Sequence, residues 1–449
     1  MQSLNLPSSA LYSLTRARVP LALIDLPIRD WAGDWEDCVL VDLVVDNGRI
    51  VELRPSGSGE SGVASVDLEG RVVWPTLVDM HAHLDKGHVI PRVRPDGTLH
   101  GGFAATIKDR ARWAAEEMKA RMEFGIKCAY AHGVSAIRTH LDSVTLALAE
   151  RSFALFSELR SAWADRVDLQ AVAIAPITVY LSPLGRELAE LTARHGGVLG
   201  GVTDTIQAVN GVHEQLDEAL GALFALAREH GLDVDLHVDQ SSDPAAFTIP
   251  IIARARLRSK FKGRVVCGHC VNLSLQPEEA IASTLRLARE ADLAFVSMPT
   301  PMMYLMDRAP GRTPRWRGVT AAKEIMDAGL KLAVGGDNCR DAWFPYGDHD
   351  MLDTLKQAVR IFQVDDPMTG ALETAARNPA DIIRRPDLGR IGVGLPAKLV
   401  IFSARSVNSL FCRDQADRIV LNGRRGRVLD GLPRHEDLAE ALGLWSAMA

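Results

Sequence analysis

Val72-Val73-Trp74-Pro75-Thr76-Leu77-Val78-Asp79-Met80-His81-Ala82-His83-Leu84-Asp85 decides how this chain reads: a β-branched, apolar run of strand character ends in two histidines two residues apart. On an extended strand, positions i and i+2 share a face, so His81 and His83 are placed to bind one metal ion. Three further residues of metal-binding type each close a short apolar run. They are His237 after Leu232-Asp233-Val234-Asp235-Leu236, His269 after Val265-Val266-Cys267-Gly268, and Asp337 after Leu332-Ala333-Val334-Gly335-Gly336. Taken singly, each has an ordinary reading as a hydrogen-bonded core histidine or a turn aspartate. Their recurrence at the ends of strands is what points to a site.

Outward from this stretch, short apolar runs alternate with longer amphipathic ones, the pattern of a parallel sheet built from βα units. Strands are expected at Val73–Met80, Val134–Thr139, Leu169–Ala175, Gly197–Val202, Val234–Leu236, Arg264–Gly268, Leu293–Val296 and Lys331–Gly335. Helices are expected between them, among others at Phe103–Ala131, Val144–Ala164, Val212–Glu229 and Pro277–Glu290. Eight such units predict an α/β fold of the (β/α)8 TIM-barrel type over residues 73–387, with the C-terminal strand ends converging on one face. There His81, His83, His237, His269 and Asp337 would meet. Three imidazoles and a carboxylate suit Zn2+ or Fe2+, and a bound ion lowers the pKa of water enough to supply hydroxide at neutral pH.

The flanks differ. Cys38-Val39-Leu40-Val41-Asp42-Leu43-Val44-Val45, the turn Asp46-Asn47-Gly48 and Arg49-Ile50-Val51 predict a hairpin. Ala397–Phe402 and Arg418–Gly423 also read as strands, so residues 1–72 and 388–449 are expected to join in a small β-sandwich domain formed by both termini. Pro55–Ser65, rich in glycine and serine, is expected to be a mobile surface loop.

With 449 residues and a formal net charge of −6, the chain carries no long basic block, which argues against nucleic acid and for a small-molecule ligand. No apolar run of about 18 residues and no secretory start are present, so a cytoplasmic protein without membrane contact is expected. Six scattered cysteines do not form a disulfide framework. Cys267-Gly268-His269-Cys270 has the spacing of a redox dithiol, but it closes a strand instead of opening a helix.

Several segments in order carry a family resemblance: His81-Ala82-His83-Leu84-Asp85, Gly97-Thr98-Leu99, Arg138-Thr139-His140-Leu141-Asp142, His237-Val238-Asp239, Gly268-His269, Arg317-Gly318-Val319-Thr320, Gly336-Asp337-Asn338 with Asp341-Ala342-Trp343, and Asn378-Pro379-Ala380. The chain resembles the amidohydrolase superfamily, and within it the bacterial cytosine deaminases, over nearly its whole length. That resemblance implies one divalent ion, zinc or iron, on His81, His83, His237 and Asp337. It also implies that His269 holds the attacking water or the developing oxyanion, that Asp337 accepts the water's proton, and that Trp343 lines the pocket. No lysine closes the fourth strand, Gly197–Thr203, where other branches bridge two metals.

The chain departs from that pattern at three places. The family's proton-shuttling glutamate is Gln240 here, which cannot exchange a proton near neutral pH; Asp239 or His269 could take over the shuttle. A substrate-reading glutamine is replaced by Ala175-Pro176-Ile177-Thr178, which argues against cytosine itself. The apolar stretch Met298–Met306 suits a larger ligand. Gln240, Asn338, Met302 and Trp343 are therefore the expected substrate contacts, and Lys86 is expected either to meet a substrate acid or carbonyl or to pair with Asp85. The reading is a metal-dependent hydrolase acting on a C–N bond of a small nitrogen heterocycle, most simply a deaminase. The alternatives are hydrolysis of a cyclic amide or an N-alkylamino group, and a catalytically silent metal-containing binder. Homo-oligomer formation is left open.

Overall fold

Pro75 is where the first expected strand divides. Proline has no N–H for a sheet, and the chain changes sheets there. In the computed structural model, residues 7, 9–25, 31–58, 62–203, 211–365, 368–414, 418–422 and 431–443 are described. The strands in chain order are β1 Leu11–Pro20, β2 Cys38–Asp46, β3 Arg49–Pro55, β4 Ser65–Asp67, β5 Val73–Pro75, β6 Leu77–Ala82, β7 Val134–Asp142, β8 Asp168–Ile174, β9 Val198–Val202, β10 Val234–Val238, β11 Val265–His269, β12 Leu293–Ser297, β13 Leu332–Val334, β14 Lys398–Phe402 and β15 Arg418–Asn422. The segment expected as Val73–Met80 is thus two strands: β5 pairs antiparallel with β14, whereas β6 belongs to the barrel.

The expected barrel is present. Its eight strands run in sequence order from β6 to β13, and the bridge between Ala82 and Asp337 closes the circle in parallel. All nine residues of β7 are buried, as a parallel strand covered on both faces requires. Two helices are opened by a threonine cap: Thr98 accepts from Gly101 N and Thr145 from Leu148 N. The single helix expected over Phe103–Ala131 is two, Leu99–Arg110 and Ala115–Ala131. The break turns Trp113 inward, where its Nε1 donates to Asp109 Oδ2 at 2.9 Å.

By its contacts the chain falls into two compact units. One comprises Met1–Val78, Cys128–Ala136 and Asp350–Leu432; the other comprises Asp79–Lys127, Ile137–His349 and Pro433–Ala449. The first holds two small sheets, ordered β3-β2-β1-β4 and β15-β14-β5, drawn from N- and C-terminal strands. Leu14, Leu43 and Ile50 of one sheet share a core with Val73, Leu399 and Leu421 of the other, which makes them the two layers of a small sandwich. The Asn-Gly hairpin joins β2 to β3 with φ of 47° at Asn47 and 77° at Gly48, the left-handed pair such a turn needs. Of the expected loop Pro55–Ser65, residues 59–61 lie outside the described residues, as does Gly423. Among the described residues, no helix is long and apolar enough to cross a membrane.

Candidate active site

The site begins where β13 meets β6. A Cβ on Gly335 would stand 2.7 Å from His81 Cβ and 3.0 Å from His81 N and O, so only glycine lets the last strand come this close to the first. Asp79 ties the junction, its Oδ1 accepting from His81 N at 3.1 Å and Gly336 N at 3.0 Å. Burial pushes its pKa up to about 7. Asp337 N donates to His81 O at 2.6 Å, and Asp337 and His269 take left-handed φ of 61° and 68° as their strands end. Strain of this kind is concentrated at functional positions.

Four of the expected residues converge. His83 Nε2 lies 3.3 Å from His237 Nε2 and 3.2 Å from Asp337 Oδ1, and His81 Nε2 lies 3.7 Å from the same oxygen. His269 completes a group with His81 and Asp337 whose potential ligand atoms all fall within 4.8 Å of one another. All five side chains are buried. Desolvation holds His81, His83 and His237 well below the ordinary histidine pKa, so the rings are neutral and offer lone pairs. It also raises the Asp337 carboxyl, which leaves a buried acid lacking a positive partner of matching strength. Both nitrogens of His81, Nδ1 of His237 and Oδ2 of Asp337 are buried without a hydrogen-bond partner. Orphaned donor atoms so close together fit a divalent cation, which would satisfy them and reverse the cost of burying Asp337.

The surroundings orient these groups. His83 Nδ1 is 3.2 Å from the His140 carbonyl, which fixes the proton on Nδ1 and turns the Nε2 lone pair inward. Gln240 Nε2 is 3.2 Å from His269 Nδ1. An amide nitrogen only donates, so His269 accepts at Nδ1 and carries its proton on Nε2. Burial lowers the His269 pKa to about 3, which keeps that ring neutral.

A further imidazole, not expected from the sequence, joins them. His140, near the end of β7, stacks on His81 at 3.8 Å and forms a potential metal group with His81 and His237. Its Nε2 lies 3.3 Å from Asp235 Oδ1, and Arg138 Nη1 bonds Asp235 Oδ2 at 2.9 Å. The clue available in the sequence was the same as for the others, a histidine at the end of a barrel strand.

Above these residues opens a cavity of about 360 Å3, floored by His83, His237 and Asp337 and walled by Phe103, Ile174, Pro176, Leu305 and Trp343. Gln240 and Asn338 reach its wall; Met302 does not, since it packs behind Gln240 with Sδ 4.0 Å from Nε2. Asn338 Nδ2 donates to Asp341 Oδ2 at 2.6 Å. Lys86 pairs with Asp142 at 3.2 Å and not with Asp85, whose Oδ2 accepts from Asp142 N at 2.7 Å. Burial alone would raise the Asp142 pKa, but Lys86 and Arg110 bring it down to about 2. Lys86 Nζ also stands 4.7 Å over the Trp343 ring. Asp239 does not line the cavity; its carboxylate accepts from Thr248 N at 2.9 Å and Thr248 Oγ1 at 2.5 Å. Cys267 and Cys270 are buried in and just beyond β11; Cys270 precedes a short 3-10 helix, Val271–Leu275, and no α-helix opens on the pair.

Comparison with known proteins agrees with this geometry. Residues 92–429 match the model of the amidohydrolase family. A pterin deaminase from Rhizobium rhizogenes is 42% identical over 442 residues, covering 97% of this chain and 98% of the relative. The N-isopropylammelide isopropyl amidohydrolase of a Pseudomonas species is 25% identical, covering 89% of this chain and 96% of its own. Among solved structures, the 5-methylcytosine deaminase of Klebsiella pneumoniae liganded with 5-fluorocytosine superposes with a TM-score of 0.79 at 23% identity, over 94% of this chain and 99% of that one, and so supports the fold. By its family match, its end-to-end relative and its cluster of neutral imidazoles around a buried carboxylate, the chain belongs to the amidohydrolase family and is one of its metal-dependent deaminases.

Proposed function

We propose that the substrate is a bicyclic amino heterocycle of the pterin type, and that its exocyclic amino group is replaced by oxygen over one zinc or iron ion held by His81, His83, His237 and Asp337. The observation that carries this reading is the position of His83, His237 and Asp337 at the floor of a cavity walled by Trp343 and Phe103. The Phe103 and Trp343 rings meet edge to face at 5.3 Å, and such walls suit a flat fused ring. The relative named as a pterin deaminase supports the substrate class. Loss of the glutamine that reads cytosine, with Pro176 and Thr178 on the wall in its place, leaves width for a second ring.

The ion, when bound, supplies an activated water near neutral pH. The rest falls to the chain's own groups. Asp337, the carboxyl whose pKa burial raises, takes the water's proton and returns it to the leaving nitrogen. His269, neutral with its proton on Nε2, donates a hydrogen bond to oxygen at the carbon under attack. Gln240 holds that tautomer and presents its amide to the ring edge. Lys86, neutralised by Asp142, orients the substrate over Trp343.

The test is to strip the protein with a chelator, refill it separately with Zn2+ and Fe2+, and offer aminopterins, aminopyrimidines, aminotriazines, N-alkylaminotriazines and cyclic amides. Ammonia and product mass are followed together. Pterins should exchange NH for O with release of ammonia, with turnover lost in the chelated protein and in Asp337→Asn and His269→Ala. Full activity of the metal-free protein would overturn the metal reading. Release of an alkylamine, or addition of water without release, would move the substrate to another branch of the family.

A further inference from the structure

A second cluster of donor atoms lies apart from the cavity. His88, Cys339 and His349 are 3%, 4% and 6% exposed, and their potential ligand atoms all lie within 4.8 Å of one another. His88 Nε2 and His349 Nε2 are 3.2 Å apart. Two imidazole nitrogens at about 2.0–2.1 Å from one tetrahedral zinc stand about 3.3 Å from each other, so the pair already has the spacing of two ligands on one ion. His88 Nδ1 is buried with no hydrogen-bond partner. A further imidazole, His435, has its ring 5.7 Å from that of His88 and its own Nδ1 buried without a partner.

The fold makes room for this cluster. A Cβ on Gly125, inside the helix Ala115–Ala131, would stand 2.9 Å from His349 Nε2, so a glycine that weakens the helix admits the ring. Phe124 covers His88 edge to face at 5.0 Å, shutting out water. The two segments are tied by His88 N to Cys339 O at 3.1 Å and Val89 N to Arg340 O at 2.9 Å. Both histidines hold left-handed φ, 61° at His88 and 53° at His349, a conformation that is uncommon outside glycine.

We infer that His88, Cys339 and His349 form a second metal site, structural and selective for zinc, that staples the segment after β6 to the segment after β13. One sulfur and two imidazole nitrogens make a softer donor set than the nitrogen and carboxylate groups at the cavity floor, and such a set selects zinc over magnesium, calcium or manganese. Binding forms one Zn–S and two Zn–N bonds and releases the thiol proton to solvent. The joined segments are the ones that carry His83 and Asp337, so the staple holds the two edges of the barrel's closing seam in register. It does not depend on which heterocycle is the substrate.

Metal titration of the full chain tests this. Metal-free protein refilled with Zn2+ should bind two equivalents per chain, and Cys339→Ser and His88→Gln should each bind one. Refilled with Co2+, the protein should show a thiolate-to-cobalt charge-transfer band in the near ultraviolet. That band should persist in His83→Ala, whose vacancy is at the cavity floor, and vanish in Cys339→Ser. Should Cys339→Ser fail to fold, loss of one equivalent and of the band in His88→Gln and His349→Gln gives the same answer. Saturation at one equivalent with no thiolate band, or a band that survives Cys339→Ser, overturns the proposal.

Discussion

Replacing Gly335 by alanine tests how the barrel closes on its metal cluster. The added methyl would meet His81 Cβ at 2.7 Å and His81 N and O at 3.0 Å. None of these atoms belongs to a flexible side-chain end, so β13 and β6 must part by several tenths of an ångström. Overpacking of this kind costs about 1–3 kcal/mol, and the unyielding backbone places this case in the upper half of that range. The same displacement separates His81 and His83 from Asp337, whose N–H is held on His81 O at 2.6 Å. Metal sites tolerate only about 0.2 Å of error in ligand distance, so affinity should fall by about 10–100-fold, or about 1.4–2.7 kcal/mol. Urea unfolding of metal-free wild type and Gly335→Ala gives the first quantity, and competition with a zinc chelator gives the second. A variant with wild-type stability and wild-type metal affinity would show that the two strands are not locked at this contact, and the account of closure would fall.

Gln240→Ala removes the amide that fixes the His269 tautomer at 3.2 Å; kcat should drop by roughly 10–100-fold with little change in metal content, and an unchanged kcat would mean that His269 is oriented by something else. Asp79 has its pKa raised to about 7, so its protonation stabilises the fold fully below the ordinary carboxyl range, and that contribution is lost as pH rises through 7. Relative to Asp79→Asn, the metal-free wild type should therefore lose about 1.4 kcal/mol per pH unit between roughly pH 4 and 7, and a difference that stays flat in urea titrations across that window would contradict this. Lys86→Met leaves Asp142 with Arg110 as its cation; the loss should fall near the lower end of about 3–5 kcal/mol, and an unaltered unfolding midpoint would show that the pair is not coupled. Trp343→Ala should raise KM roughly tenfold by removing a stacking wall, whereas a pure kcat effect would place the ring elsewhere in the reaction.

What could be read from the chain alone was whatever repeats locally. Strand and helix periods identified the barrel and the small sheets, because burial imposes a period on each element wherever it ends up. Asn47-Gly48 announced its hairpin, since few residue pairs adopt two successive left-handed conformations. His81, His83, His237 and Asp337 were visible because each closes a strand, and a barrel brings all strand ends to one face. Beyond this, pairing across the chain decided the outcome. Lys86 took Asp142, 56 residues away, over its neighbour Asp85, because adjacent residues on a turning chain point apart while strand ends converge. Asp239 was claimed by Thr248, and His88 met His349 across 261 residues of sequence. No local pattern encodes such partners: the chain dictates which face each side chain takes, and only closure of the barrel determines what stands opposite.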